Sequence, residues 1–466
     1  MPGYWQLLPE VLVLAGAIVA LFGELVPGKD RGAVLVGSAL SAVAALLAAF
    51  GGLADPLFGG MLVADGPARF IRVGVAGLTA VWLLWLSGRG VTGERSREAA
   101  ALAMFSASGG MLLAMSADLI TLYMALELST MPAYVLMGYR RGDIRGLEGA
   151  LKYFLLSLTT SLIMLYGLSF VYGISGETLF SRIDLSGAGT IALVAAVLTL
   201  VGLFAKMSAA PFHYWTPDAY EGAPASSVAF VSAVPKVAGT AAMVRLVQVL
   251  DTGTPYLPLV LGVVAAVSMV LGNLAALTQQ DVRRLMAYSG VAHSGYLLMG
   301  LAAGAYLGDL GRPGFGFGAA VLYAVAYAVP SMAVMLVAAE EGTQVTSLAR
   351  LASRRAPAAW ALVVWLLSLI GIPPLAGFFG KLYLFGSALD AGQVWLVVIA
   401  VLMSVVSAGY YFRLIREAFL GTCDTQPATL SRSTRAGVAL AIAVGATFAM
   451  GIFASPMLSA LGFVAG

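Results

Sequence analysis

Long apolar runs separated by short polar, glycine- or proline-containing links repeat along the whole chain. A helix needs roughly 20 mostly apolar residues to cross a bilayer. The pattern predicts about fourteen transmembrane helices, at 4–26, 33–53, 68–87, 99–116, 118–138, 147–173, 190–212, 224–250, 256–277, 282–303, 316–338, 358–386, 392–419 and 436–463. The runs are continuous rather than alternating, and only helices and closed barrels satisfy their backbone in lipid. The expected fold class is an all-α polytopic membrane protein. No soluble domain fits between the spans, so one transmembrane domain over 1–466 is expected. The first span begins at Tyr4 without a basic leader and contains Glu10, which reads as a retained helix.

Composition agrees with this reading. The chain is 60% hydrophobic and 11% charged, with a mean hydropathy of +0.92, too apolar for a soluble protein of 466 residues. Lysines and arginines number seventeen in the links after odd-numbered spans, among them Arg140, Arg145, Arg354 and Arg355. The other side holds four: Arg69, Arg72, Arg182 and Arg312. The positive-inside rule then puts both termini outside and the basic links in the cytoplasm. The arginines are spread too thinly for a nucleic-acid surface. One cysteine, Cys423, and two histidines offer no disulfide and no thiolate set for an iron–sulfur cluster, so the chain is expected to carry no electrons and no metal.

Candidate chemistry lies where charge meets the apolar runs. Of five lysines, Lys152, Lys206, Lys236 and Lys381 fall inside spans. A charge in hydrocarbon is expensive and marks function. A buried lysine can release its proton, whereas guanidinium stays charged, so lysine inside and arginine outside points to proton transfer. Spans seven and twelve are interrupted by Lys206-Met207-Ser208-Ala209-Ala210-Pro211 and by Gly371-Ile372-Pro373-Pro374-Leu375-Ala376-Gly377. Discontinuous helices with a lysine near each break are a pattern of transporters built from two repeats, here 99–250 and 256–419, flanked by 4–116 and 436–463. In span eight, Pro235 precedes Lys236 and frees a carbonyl near Val231. Glu127 lies near the centre of span five, and Lys206 is its expected ion-pair partner, a pair that could gate a proton. Lys152 follows Glu148 at i+4, which is equally consistent with a structural pair. His293 sits among small residues and His213 follows the span-seven break; both are possible relay groups. Glu10 and Glu24 are read as structural or partner-facing.

Several runs resemble the antiporter-like subunit N of bacterial NADH-quinone oxidoreductase, respiratory complex I. They include Pro211-Phe212-His213-Tyr214-Trp215-Thr216-Pro217-Asp218-Ala219-Tyr220-Glu221-Gly222-Ala223-Pro224, Val234-Pro235-Lys236-Val237-Ala238-Gly239 and Ala292-His293-Ser294-Gly295-Tyr296. Leu8-Pro9-Glu10, Leu151-Lys152-Tyr153-Phe154, Met286-Ala287-Tyr288-Ser289 and Gly371 to Lys381 agree, so the resemblance covers nearly the whole chain. It implies two inverted five-helix repeats with discontinuous helices seven and twelve, and a half-channel in each. By motif, Glu127 resembles the family's span-five glutamate, Lys206 its span-seven lysine, Lys236 its central lysine and Lys381 its exit lysine. A lysine at 381 is more similar to subunit N than to subunit M, and the long lateral helix of subunit L is not expected. The implied function is proton translocation in a bacterial inner (plasma) membrane, driven by quinone reduction elsewhere. NADH, FMN, iron–sulfur clusters and quinone are then expected in partner subunits, with subunit M and small membrane subunits as neighbours. The alternatives are a subunit of a multisubunit sodium/proton antiporter or membrane-bound hydrogenase, or a stand-alone secondary transporter.

Overall fold

The computed structural model describes residues 3–23, 29–51, 55–89, 96–140, 142–250, 256–308, 314–422 and 433–462. Glu24, Cys423, Arg95, Arg141, Arg312 and Arg432 lie outside the described residues. The helices are α1 Leu8–Leu21, α2 Lys29–Phe50, α3 Gly66–Arg89, α4 Ser96–Met115, α5 Leu119–Met137, α6 Ile144–Ser175, α7 Thr190–Lys206, α8 Trp215–Gly222, α9 Ala225–Val231 and α10 Val234–Leu250. They continue as α11 Tyr256–Ala276, α12 Val282–Gly308, α13 Gly314–Glu341, α14 Leu351–Arg354, α15 Ala356–Ile370, α16 Ala376–Asp390, α17 Val394–Leu420, α18 Thr434–Ile452 and α19 Ala454–Ala460. Among the described residues, helix occupies each of the fourteen expected spans, and eleven helical stretches are long and apolar enough to cross a membrane.

Span eight differs from the expectation of a single helix over 224–250. It is two helices, because α9 stops at Val231 and α10 restarts at Val234. Pro235 therefore occupies the first turn of α10, where a missing N–H leaves no bond unmade. Span fourteen likewise divides into α18 and α19.

The α9–α10 stretch from Ala225 to Val244 and α13 from Gly316 to Ala338 are buried without interruption and form the centre of the molecule. The outer helices α6 and α17 turn Leu151, Leu155, Leu158 and Leu162, and Val394, Val398, Val401 and Val405, outward. Close approach of neighbours depends on missing side chains. A β-carbon on Gly109 of α4 would lie 2.4 Å from the Ser129 nitrogen of α5, and one on Gly272 of α11 would lie 2.5 Å from the Ala292 nitrogen of α12.

Two aspartates start matching helices at opposite ends of the bundle. Asp118 Oδ1 accepts from the Ile120 and Thr121 amides and caps α5. Asp281 Oδ1 accepts from the Arg283 and Arg284 amides and caps α12. Asp118 also bridges to Leu179 beyond α6, and Asp281 to Gln344 beyond α13. The Asp281 end is shared by Arg140, at the far end of α5 from Asp118, so the two links lie on opposite sides.

Candidate functional site

Lys381 sits where a helix has been cut. The α15 helix ends at Ile370, Gly371 turns left-handed at φ +99°, and α16 restarts at Ala376. The last carbonyls of α15 have no helical partner and carry the negative end of the helix dipole. Lys381 reaches back to them from α16, its Nζ 3.1 Å from Leu369 O and 2.9 Å from Ile370 O. A third bond, 3.3 Å, goes to Ser404 Oγ of α17, so each of the three ammonium protons has an acceptor. The ammonium also stands 4.8 Å from the centre of the Tyr296 ring.

Lys236 is held more sparingly. It lies in the first turn of α10, 2% exposed, and its Nζ is 3.0 Å from the Gly290 carbonyl of α12. The Tyr327 ring of α13 lies 5.6 Å from the ammonium. A β-carbon at Gly290 would meet Lys236 Nζ at 2.6 Å, so this contact requires glycine there. No other hydrogen-bond acceptor for Lys236 is present among the described residues.

His293 packs between the two lysine sites. Its ring stacks on Tyr327, centroids 4.4 Å apart, and meets Tyr296 edge-on at 5.7 Å. These are the aromatic rings against which Lys236 and Lys381 lie. Its Nδ1 is 2.6 Å from the Tyr323 hydroxyl and its Nε2 3.2 Å from that of Tyr411. Tyr411 continues to Ser289 at 2.5 Å, and Tyr296 to Ser404, a partner of Lys381, at 3.0 Å. Ser289, His293 and Tyr296 recur at i, i+4 and i+7 on α12, one helix face.

The expected Glu127–Lys206 ion pair is not formed in this arrangement. Lys206 ends α7 and is buried; its Nζ hydrogen-bonds the Tyr134 hydroxyl and lies 3.2 Å from Thr130 Oγ1. Glu127, one turn before Thr130 on α5 and half-buried, accepts instead from Ser161 Oγ of α6 at 2.6 Å. A short polar side chain therefore stands between the two charges. The break after Lys206 turns through Ser208 at φ +61°, and Trp215 Nε1 donates to the Ala205 carbonyl at 3.0 Å, beside the Ser208 amide.

Lys152 is not part of the buried set. With its side chain 43% exposed, it pairs with Glu148 at 2.8 Å and Asp218 at 3.0 Å, at the edge of a charged cavity of about 860 Å³. Arg140, Asp143, Arg145, Glu221 and Asp281 line the same cavity. Asp218 also holds Arg284 at 3.0 Å. Partial burial works to raise the Asp218 carboxyl, but the bonds from Lys152 and Arg284 prevail and hold it below the usual carboxylate range. The next residue, Tyr153, stacks on Trp215 at 3.9 Å and meets Tyr134 edge-on at 4.6 Å, which links the cavity rim to the Lys206 pocket. His213 packs beside Tyr214, with Nδ1 unpartnered, away from the His293 network.

One cation read from the sequence as lying at a span edge is internal. Arg72, counted among the cations of the sparse side, is buried and bonds Glu10 at 2.6 and 2.7 Å, which makes Glu10 structural. Among the described residues, no group of three or more His, Cys, Asp or Glu side chains is placed to hold a metal ion. The tyrosines 134, 296, 323, 327 and 411 and Ser404 were not singled out by sequence. Tyr323 and Tyr327, one turn apart in an apolar helix, carried the available signal.

The comparisons with known proteins fit this geometry. The family described as NADH:quinone oxidoreductase/Mrp antiporter, TM, matches residues 116–407. The chain is 35% identical to NADH-quinone oxidoreductase subunit N 2 of Symbiobacterium thermophilum, over 98% of this chain and 96% of the relative. It is 37% identical to subunit N 1 of Acidiphilium cryptum, over 96% and 94%. It superposes on a chain of respiratory complex I from Thermus thermophilus with bound Aureothin at TM-score 0.83, with 30% identity, covering 98% of this chain and 100% of that one. A chain of the Mrp complex from Dietzia sp. shares the fold at TM-score 0.84 and 21% identity, covering 99% and 96%. With these identities over nearly its full length, the chain belongs to the NADH-quinone oxidoreductase subunit N family, within the NADH:quinone oxidoreductase/Mrp antiporter group.

Proposed function

We propose that the chain relays protons as a membrane subunit of a bacterial NADH-quinone oxidoreductase in the inner membrane, beside subunit M and small membrane subunits. Partner subunits supply NADH oxidation through FMN and iron–sulfur clusters, and quinone reduction; their energy drives the relay. The observation that carries this reading is the buried polar cluster between Lys236 and Lys381, in which His293 packs against Tyr327 and Tyr296, the rings the two lysines lie against, and is hydrogen-bonded to Tyr323 and Tyr411. The Asp118 and Asp281 links at opposite ends support two inverted repeats, 99–250 and 256–419.

In this reading protons enter from the charged cavity at the basic, cytoplasmic end, pass Lys206 and reach Lys236. His293 accepts a proton at one ring nitrogen and gives up the one on the other, so the imidazole is regenerated by a change of tautomer. Lys381 passes the proton outward and recovers its neutral amine. Glu127 gates Lys206 when a conformational step moves Thr130 from between them. Moving one charge across 100 mV takes about 2.3 kcal/mol.

The test is NADH-driven proton uptake by inverted vesicles carrying Lys206→Ala, Lys236→Ala or Glu127→Gln, with assembly verified. Full pumping by an assembled Lys206→Ala or Lys236→Ala complex rejects the relay. Proton transport by the purified chain alone in liposomes would favour a stand-alone transporter instead.

A further inference from the structure

The segment after Lys206 is held by helices of the other half of the chain. The Ala210 amide donates to Ser268 Oγ of α11 at 2.9 Å, and the Ser294 hydroxyl of α12 is hydrogen-bonded to the Met207 carbonyl. Ser294 is buried, and its Oγ also lies 2.9 Å from the Gly290 carbonyl one turn earlier on α12. That carbonyl is the one that accepts from Lys236 Nζ. A serine hydroxyl has one proton to donate, so Met207 and Gly290 compete for it.

We propose that Ser294 is a positioning residue that couples the α7 break, beside Lys206, to the hydrogen bonding of Lys236. While its proton is on Met207 O, the Gly290 carbonyl is left to the Lys236 ammonium. When the break moves away from α12, the hydroxyl turns to Gly290 and shares that carbonyl with the ammonium, which weakens the one hydrogen bond that holds it among the described residues. A shift of the backbone next to Lys206 thus changes the hold on Lys236 without any contact between the two lysines. In this proposal the break is the element that moves: it is outside helix from Met207 to Tyr214 and turns at Ser208 with φ +61°. This inference rests on the relay reading above. If Ser294 only packs, its hydroxyl leaves no trace in the pH dependence of pumping.

The experiment compares Ser294→Ala, Ser294→Thr and Ser294→Cys with Lys236→Ala in assembled complexes in inverted vesicles, measuring NADH-driven proton uptake from pH 6 to 9. Ser294→Ala is expected to slow uptake about fivefold, the worth of one hydrogen bond, and to displace its pH profile, while Ser294→Thr keeps both near wild type. Wild-type rate and profile in an assembled Ser294→Ala complex would overturn the coupling, as would equal loss in the Ala and Thr variants. Should Ser294→Ala fail to assemble, the Thr and Cys variants decide: Cys, a weak donor, is expected below Thr, and equality overturns the proposal. Lys236→Ala separates the two levels. If it pumps normally, the relay itself fails; if it is inactive while Ser294→Ala is normal, only the coupling fails.

Discussion

Gly290 and Lys236 meet across the α10–α12 interface with the lysine Nζ 3.0 Å from the glycine carbonyl, a contact in which a β-carbon would stand 2.6 Å from the same nitrogen. The obstructed atom is the far end of a flexible side chain, so the helices need not separate to admit a methyl group. Gly290→Ala is therefore expected to leave assembly and thermal stability close to wild type and to lower proton uptake about tenfold, the loss of one hydrogen bond to a charged group. A large fall in melting temperature together with normal uptake would contradict this placement.

Lys381 and Lys236 should separate in the opposite sense. Replacing Lys381 by Ala strips two buried carbonyls at the end of α15 of their donor, at about 1–3 kcal/mol each. Lys236→Ala removes a buried charge with one acceptor and should alter stability far less. Thermal unfolding of the detergent-solubilised complexes is expected to rank Lys381→Ala well below Lys236→Ala, with uptake impaired in both.

The Lys206 pocket makes a phenol as important as the carboxylate. Because Tyr134 and Thr130, not Glu127, contact the ammonium here, Tyr134→Phe is expected to slow proton uptake about tenfold. A Tyr134→Phe complex that pumps at the wild-type rate would show that this arrangement is not on the transport cycle.

The Glu10–Arg72 pair tests structure alone. Removing one partner leaves a buried charge uncompensated, so Glu10→Gln should destabilise by about 3–5 kcal/mol, and the double change Glu10→Leu with Arg72→Met should recover most of that. Proton uptake per assembled complex is expected to stay unchanged in both, as read by the vesicle assay normalised to complex content.

Acid should act on the cavity rim only at low pH. The Asp218 carboxyl is held below its unfolded value, so the stability it contributes is fully present above about pH 4 and fades as pH falls through the folded value. Between pH 8 and 5, Asp218→Asn should therefore shift melting by a constant amount. A difference between wild type and variant that already closes near pH 6 would refute the assignment.

How much of this was legible in the sequence varies by residue. Lys206, Lys236 and Lys381 stood out because an ammonium inside an apolar run needs a reason, whatever its neighbours. The breaks at 207–214 and 371–375 were equally visible, since proline and glycine act through the local backbone. Arg72 was misread for the same cause: near a span end, one-dimensional counting cannot tell a loop cation from one turned inward onto Glu10. Glu127 was paired with Lys206 on charge alone, and only the register of α5 against α7 put Thr130 between them.

The sequence by itself determined that the chain is a bundle of membrane helices, that it breaks after Lys206 and between Gly371 and Leu375, and that Lys206, Lys236 and Lys381 lie inside it. Those properties follow from the free energy of placing each group in hydrocarbon, which depends on residue type and on neighbours in the chain. The tertiary structure alone decided what each charge touches: Lys381 on the carbonyls of α15, Lys236 on Gly290, and His293 between them. Hydrogen bonds act over about 3 Å and with defined direction, so their partners emerge only once helices distant in sequence have been packed side by side.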